Sequence, residues 1–285
     1  MHSKLTIGIS FFSVFHNVRK IYLILMLTML ACIGCEWRLR PSDDKAIAEQ
    51  VRIERYDRIE SLYLTTGDFS ALQQMNTSYP MQTRTLIEDV LRIGRVNDPE
   101  INNKFLAFFQ DSTLQELIRE VERQYSSMDD LNRDLAEAFK RLKRELPDMK
   151  LPKVYSQIGS LDQSIIVAHN TLGISLDKYL GADYPTYQTY YTEVQQRQMT
   201  RSMIVPDCMA FYILSLYPMP SDHEVSQTER DVYISKIQWV VNKILSRQVF
   251  KGRYINAIGR YMQRHPGTTV EELLINSDYL SLIHD

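Results

Sequence analysis

The chain of 285 residues has few cysteines, and their positions exclude a disulfide framework. Cys32 and Cys35 lie inside or at the end of an apolar leader, so Cys208 is the lone cysteine in the body of the protein. A single body cysteine has no partner for an intramolecular disulfide. Apolar residues precede and follow Cys208, which predicts a small buried side chain rather than a reactive thiol.

The chain also lacks an excess of charge of either sign. Its formal net charge is −2 and its isoelectric point is near 6.3. No dense block of lysine and arginine occurs, whereas nucleic-acid-binding domains carry a basic patch or stripe. We therefore expect no nucleic-acid partner. The hydrophobic share of 44% is that of an ordinary globular protein.

Sequence motifs of common enzyme sites are missing. No G-x-S-x-G nucleophile elbow, Walker phosphate loop or G-x-G-x-x-G fingerprint occurs. His223 and Glu224 begin the H-E-x-x-H pattern of zinc peptidases, but Gln227 stands where the second histidine is needed. We expect no catalytic residue, no metal site, no cofactor and no enzymatic activity. The histidines of the body show no ligand spacing, and His169 is interpreted as a turn or core residue; they are His169, His223, His265 and His284.

The N-terminal segment has the pattern of a secretory signal. Arg19 and Lys20 precede the apolar run 21–30, which is too short to span a bilayer comfortably, and small residues follow it. The glycine before Cys35 resembles the end of a bacterial lipobox, in which the cysteine thiol receives a diacylglycerol. Cys32 is the alternative lipid acceptor, and an uncleaved anchor helix is the alternative interpretation of the leader.

Three segments follow from this pattern. We predict a signal peptide over residues 1–34, a lipid-anchored tether over residues 35–51 and a single globular domain over residues 52–285. Charged and polar residues follow Cys35 closely, which suits a tether between a lipid and a fold. A cysteine that carries several acyl chains buries enough methylenes to hold a protein on a membrane stably.

Most of the predicted domain has the periodicity of amphipathic helices, with apolar residues at intervals of three and four. The pattern changes only over residues 151–191, where short β-type runs are separated by turn residues. We interpret residues of about 152–177 as a small antiparallel meander with Pro152 at an edge-like first position. A few strands with one apolar face need helices to cover them. The predicted fold class is α+β, predominantly α-helical.

Boundary signals add detail to the predicted helices. Asp129 is predicted as an N-cap, Pro206 is predicted to mark a first helical turn, and Tyr187, Tyr190, Tyr191 and Val194 are predicted to face inward. Helices are predicted over about 69–75, 85–93, 102–109, 112–125, 129–146, 185–198, 199–217, 228–247, 254–263 and 270–274.

Several segments resemble the gliding-motility lipoproteins of the GldB family. The most specific element is the predicted strand pair followed by GISLDKYLG, residues 173–181, within SLDQSIIVAHNTLGISLDKYLGADYPTY. The resemblance extends to most of the chain. The region between Trp239 and Gly252 is shorter than the corresponding region usual in the family. Its other segments are IERYDRIESLYL, NNKFLAFFQDSTLQELIREVERQY, DLNRDLAEAFKRLKRELPDMKLPKVYS and GRYINAIGRYMQRHPGTTVEELL.

The resemblance implies a lipoprotein that is anchored in the membrane by its lipid, faces the periplasm and works with envelope proteins in surface motility and protein export. The family has no established enzymatic activity. Its layout is also similar to a group of predicted zinc peptidases whose H-E-x-x-H helix follows the strands. Here that helix would lie near Met203–Leu216, which contains neither histidine, so a zincin-like layout without its metal site is implied.

Two alternatives to an interaction component stay open. One is a diverged, inactive protein of the zinc-peptidase type. The other is a peptide- or glycan-binding module that uses the exposed edge of the meander, because strand addition requires no special side chains.

Overall fold

The computed structural model describes residues 41–219 and 225–283, with side chains from Asp44 onward. Residues from Ile47 onward form one compact unit, and the preceding residues belong to a separate unit. The predicted signal peptide and both candidate lipid acceptors lie outside the described residues. The last part of the predicted tether is helical, in helix α1 (Pro41–Gln50).

Helices occupy the chain before the sheet, and their apolar stripes face a common core. Asp68 caps the helix Phe69–Ser78 and Asp111 caps the helix Ser112–Gln124, each side chain accepting from two backbone N–H groups. Asp129 is not an N-cap as predicted, because Met128 occupies that position and Asp129 is the first helical residue. There its carboxylate still interacts favourably with the helix dipole. The elements are α2 (Tyr56–Thr66), α3 (Phe69–Ser78), α4 (Pro80–Arg84), a π-helical turn (Thr85–Val90), α5 (Ile101–Phe108), α6 (Ser112–Gln124) and α7 (Asp129–Glu145).

The sheet consists of β1 (Lys153–Gln157), β2 (Ile165–Ala168) and β3 (Thr171–Ser175), in the spatial order β1-β3-β2. Strand β3 is antiparallel to β2 but parallel to β1. The fold class, α+β and predominantly helical, is confirmed, but the sheet is mixed and the prediction of an antiparallel meander is wrong. After β1, residues 158–164 lead the chain past the position beside β1 to the edge where β2 forms. Strand β3 then occupies the central position, between β1 and β2.

A two-residue turn joins β2 to β3. His169 and Asn170 have φ angles of 47° and 61°, and a type I′ hairpin turn requires positive φ at both of its central residues. The interpretation of His169 as a turn residue is confirmed, and its side chain is exposed at the tip of the hairpin.

The outer edge of β1 is partly occupied. Glu54 forms a parallel bridge with Tyr155. In this bridge the Glu54 N–H donates to Val154 O at 2.9 Å, and Glu54 O accepts from the Ser156 N–H at 3.0 Å. Pro152 lies just before β1, where a missing N–H costs no ladder hydrogen bond. The segment before α2 therefore extends the sheet beyond β1.

Helices and short turns follow the sheet. The helix predicted over residues 185–198 is divided, because Tyr191 is extended and the Thr192 side chain starts a new helix with a capping box. Pro206 lies in the first turn of α10, as predicted. The elements are 3₁₀ turns at Leu176–Tyr179 and Arg201–Met203, and the helices α8 (Pro185–Tyr190), α9 (Glu193–Gln196), α10 (Ile204–Leu216), α11 (Gln227–Leu245), α12 (Arg253–Arg264) and α13 (Val270–Ile275).

Helix α10 covers the sheet and packs against β2, β3 and α7. Cys208 on this helix is fully buried, as its apolar neighbours predict. Among the residues predicted to face inward, Tyr187 is buried, whereas Tyr190 and Val194 are 63% and 71% exposed. Tyr191 is half-buried and packs against the core. Val194 lies in the separate helix α9, so the periodicity of one continuous helix does not place it. Within the described ranges, no helix is both long and apolar enough to cross a bilayer.

Candidate functional site

The most polar part of the interior lies where β1 and β3 end. Parallel strands end at the same edge of a sheet, so Ser156 and Gln157 of β1 lie beside Ser175 of β3. Helix α2 contributes Asp57 and Glu60, which share a helix face because they are three residues apart. We call this group the strand-end cluster; its members are Asp57, Glu60, Ser156, Gln157, Ser175 and Asp177, all of which are buried.

Asp57 is held by a cation and a hydroxyl. Arg55 donates to its two carboxylate oxygens at 2.8 and 2.7 Å, which is the bidentate arrangement of the strongest ion pairs. The Ser156 hydroxyl donates to Asp57 Oδ1. These contacts connect the start of α2 to β1.

Glu60 is fully buried and only partly satisfied. Its Oε2 accepts from the Ile158 N–H at 2.9 Å, whereas Oε1 has no hydrogen-bond partner among the described residues. Burial raises the pKa of this carboxyl well above its usual value, and the Ile158 hydrogen bond opposes that shift only in part. The Asp177 and Asp57 carboxyls raise the pKa further. An unpaired buried charge is costly, so the fold favours the protonated form of Glu60 over the charged form.

Asp177 fixes the loop that follows β1. Its Oδ1 accepts from the Gly159 N–H at 2.7 Å, and its Oδ2 accepts from the Leu161 N–H at 2.6 Å. Ser160 and Leu161 have φ angles of 49° and 67°, a left-handed conformation that costs residues with a side chain roughly 1–2 kcal/mol each. Burial raises the pKa of Asp177, and the backbone hydrogen bonds oppose the shift. The carboxyl therefore stabilises a strained loop.

A lysine and a tyrosine hold the same loop from the other side. Lys178 Nζ donates to Leu161 O at 3.2 Å and to Tyr191 Oη at 2.9 Å, and Tyr191 Oη donates to Leu161 O. Burial lowers the pKa of Lys178 and raises the pKa of Tyr191 to about 12. Both groups thus have structural partners.

The chemistry of the cluster is that of a structural centre. A general base or a nucleophile must come within hydrogen-bond reach of a substrate. Asp57, Glu60 and Asp177 are at most 1% exposed. Every oxygen of these three carboxyls except Glu60 Oε1 accepts a hydrogen bond from a side chain or the backbone. The arrangement holds α2, the sheet and the loop 158–162 together.

Helix α10 lies where the resemblance to zinc peptidases places a metal-binding helix. Its Asp207 Oδ2 accepts from the Tyr179 hydroxyl at 2.8 Å, and burial raises the pKa of Asp207 to about 6. Burial also raises the pKa of the Cys208 thiol well above its usual value, so this thiol stays protonated. In the part of the chain that the structure describes, no group of three or more His, Cys, Asp or Glu side chains is arranged to hold a metal ion.

The sequence-predicted candidates do not meet in one place. His169 is at the hairpin tip, and His265 is exposed at the end of α12, where its ring stacks on Tyr261 with 4.2 Å between centroids. His223, Glu224 and His284 lie outside the described residues, as do Cys32 and Cys35.

The acids of the strand-end cluster were not predicted from the sequence. Asp57 and Glu60 stand among the apolar residues of IERYDRIESLYL, and an acid that falls on an apolar helix face was the available signal. Asp177 lies inside the GISLDKYLG element, but the sequence alone does not show that its carboxyl turns back onto the loop after β1.

Comparisons with known proteins agree with the resemblance. The family model described as gliding motility protein GldB matches residues 38–249. No curated protein matches the chain, and no solved structure matches it. The segment GRYINAIGRYMQRHPGTTVEELL lies beyond the matched residues, so its part in the resemblance stays a prediction. The matched residues include the strand-end cluster, the sheet and helix α10 and make up most of the sequence, and on this basis the chain belongs to the GldB family of gliding motility lipoproteins.

Proposed function

We propose that this chain is a non-enzymatic lipoprotein, anchored in the cell envelope and facing the periplasm, that acts as an interaction or accessory component of a motility or protein-export machinery. The observation that carries the proposal is the family match over residues 38–249. The strand-end cluster supports the non-enzymatic part, because its acids are buried and every carboxyl oxygen except Glu60 Oε1 accepts a structural hydrogen bond. The expected partners are the membrane, through the lipid, and other envelope proteins.

The proposed anchor is the thiol of Cys35, with Cys32 as the alternative. In cells grown with labelled palmitate, we expect label in the wild type and in Cys32→Ala, and no label in Cys35→Ala. The reason is that only the lipidated cysteine carries acyl chains, and several acyl chains are needed for stable membrane attachment. The measurement is the radioactivity of the immunoprecipitated full-length chain, with its membrane and soluble fractions compared.

Two results would contradict this assignment. Label that persists in Cys35→Ala and disappears in Cys32→Ala would move the anchor to Cys32. An unlabelled wild type, expressed beside a known lipoprotein that does take up label, would remove the lipoprotein proposal altogether.

A diverged, inactive protein of the zinc-peptidase type is the second candidate. The observation that favours it is the position of α10, which follows the sheet and packs across β2 and β3. Asp207 is the first polar residue of this helix and already has Tyr179 as its partner. Stoichiometric zinc in the purified protein would contradict the loss of the metal site and would favour a diverged peptidase or hydrolase with an unrecognised site.

A peptide- or glycan-binding module that uses the edge of the sheet is the third candidate. A peptide that adds as a strand needs a row of free backbone N–H and C=O groups. On β1, the bridge to Glu54 already uses the N–H of Ser156 and the C=O of Val154. This observation counts against β1 as the docking edge.

A further inference from the structure

Helices α11 and α12 and the loop between them line an open surface groove of about 660 Å³. Binding sites for small molecules are commonly clefts of roughly 300–1,000 Å³. The groove shares no residue with the strand-end cluster. Its α12 wall lies beyond residue 249, where the family match ends, so family membership assigns it no role.

The groove carries positive charge without a lining acid. Lys243, Arg247 and Arg260 line it, and no aspartate or glutamate does. Lys243 is paired with Glu145 at 2.7 Å. Arg247 and Arg260 are exposed, and their guanidinium groups have no hydrogen-bond or ion-pair partner among the described residues. Two free guanidinium groups suit a carboxylate or another planar anion, which arginine binds with two parallel hydrogen bonds.

Neutral groups in the groove suit a ligand with several hydroxyls. The carboxamides of Gln248, Asn256 and Gln263 are exposed along its walls, and each offers both donors and an acceptor. Trp239 is half-buried and is the aromatic residue that lines the groove. A Cβ on Gly259 would lie 3.3 Å from Trp239 Nε1, so the glycine lets the edge of the indole pack closely against α12.

Hydrogen bonds hold the wall of the groove in place without a ligand. Asn242 Oδ1 accepts from the Val249 and Phe250 N–H groups at 2.9 and 3.0 Å, and its Nδ2 donates to Phe250 O at 2.8 Å. Arg141 Nη1 donates to Ile244 O and to Ser246 Oγ at 3.1 and 2.8 Å. A groove that is already ordered loses little conformational entropy on binding.

We propose that this groove binds an acidic saccharide. Arg247 and Arg260 contact a carboxylate of the ligand, the carboxamides contact its hydroxyls, and the indole of Trp239 packs against the apolar face of a sugar ring. An acidic peptide has the charge but lacks the ring and hydroxyls that the tryptophan and carboxamides match. The proposal concerns a different surface from the anchor and does not rest on the envelope role.

Trp239 itself can report the binding. The chain has two tryptophans, Trp37 and Trp239, so in a Trp37→Phe background the emission comes from the groove alone. We expect a short oligogalacturonate to change the emission of the full-length protein in detergent saturably, and its fully methyl-esterified form to bind at least tenfold more weakly. Replacing both arginines, in Arg247→Gln/Arg260→Gln, should raise the Kd about tenfold or more, because each lost charge-assisted hydrogen bond weakens binding strongly.

A matched control uses two exposed arginines outside the groove. Arg52→Gln/Arg95→Gln removes the same charge from positions that likewise have no described side-chain partner, and its Kd should equal that of the parent protein. Three results would overturn the proposal: no saturable change, an equal loss of affinity in the control variant, or an unchanged Kd in Arg247→Gln/Arg260→Gln. Equal affinity for poly-glutamate of the same charge would also overturn it, in favour of an acidic peptide. The substituted arginines are exposed, so folding, checked by thermal melting, is expected to be unchanged.

Discussion

Replacing Gly173 with valine is expected to destabilise the protein by roughly 3 kcal/mol, at the upper end of the range for overpacked cores. Gly173 is in the central strand and is directly opposite Tyr155 of β1. A Cβ at this position would lie 2.6 Å from both Cζ and Oη of Tyr155. The ring cannot move away easily, because Tyr155 is 2% exposed. The measurement is the free energy of unfolding in urea, followed by circular dichroism.

A double-mutant cycle separates the clash from a general intolerance of the strand. Gly173→Ala combined with Tyr155→Leu should cost clearly less than the sum of the two single changes, because the leucine removes the atoms that the new Cβ meets. Gly267→Ala is the matched control, since a Cβ there meets nothing within 4 Å, and its free energy of unfolding should change little. Strict additivity of the first pair would refute the packing explanation for this glycine.

Replacing Asp177 with alanine is expected to cost about 3 kcal/mol of stability. The change leaves the N–H groups of Gly159 and Leu161 without their acceptors, and an unsatisfied buried donor costs about 1–3 kcal/mol. It also releases a loop that contains two left-handed residues. Urea unfolding measures the loss, and faster proteolysis within residues 158–162 would locate it. Stability equal to that of the wild type would show that the loop does not depend on this carboxyl.

Glu60→Gln is the matched variant in the same cluster. The folded-state pKa of Glu60 is raised, so the folded protein binds this proton more tightly than the unfolded chain does. Its contribution to stability is therefore greatest below the unfolded pKa of about 4.3 and falls as the pH rises toward the folded pKa. Glutamine is neutral at every pH, so Glu60→Gln should be well tolerated and should lessen the loss of stability between about pH 4 and neutral pH. A variant with the same pH dependence as the wild type would mean that Glu60 does not titrate in this range.

The helices were largely predictable from the sequence because an amphipathic stripe is a local pattern. Helix α7 illustrates this, with Leu131, Leu135, Phe139 and Leu142 on its buried face. Boundaries were less predictable where polar side chains decide them: Thr192 starts a new helix within a stretch whose periodicity favours one continuous helix. Short β-type runs separated by turn residues predicted strands in the right place, but such runs do not show whether two strands pair in parallel or antiparallel, so they did not reveal the mixed sheet.

The strand-end cluster and the groove depend on contacts between residues far apart in the chain. Asp57 meets Ser156 across almost a hundred residues, and Glu60 meets Ile158 across a similar distance. The spacing of residues within α2 cannot show which strand will approach it. The groove likewise exists only because α11 and α12 pack together, whereas each helix alone presents an ordinary polar face.

We propose that the chain holds envelope proteins at the membrane. The most direct measurement is crosslinking in living cells of the full-length protein, followed by purification and identification of the attached proteins. We expect the wild type to recover the same small set of envelope proteins repeatedly and Cys35→Ala, expressed at the same level, to lose them. Repeated recovery of no envelope protein, with a known envelope complex crosslinked in the same cells, would contradict it.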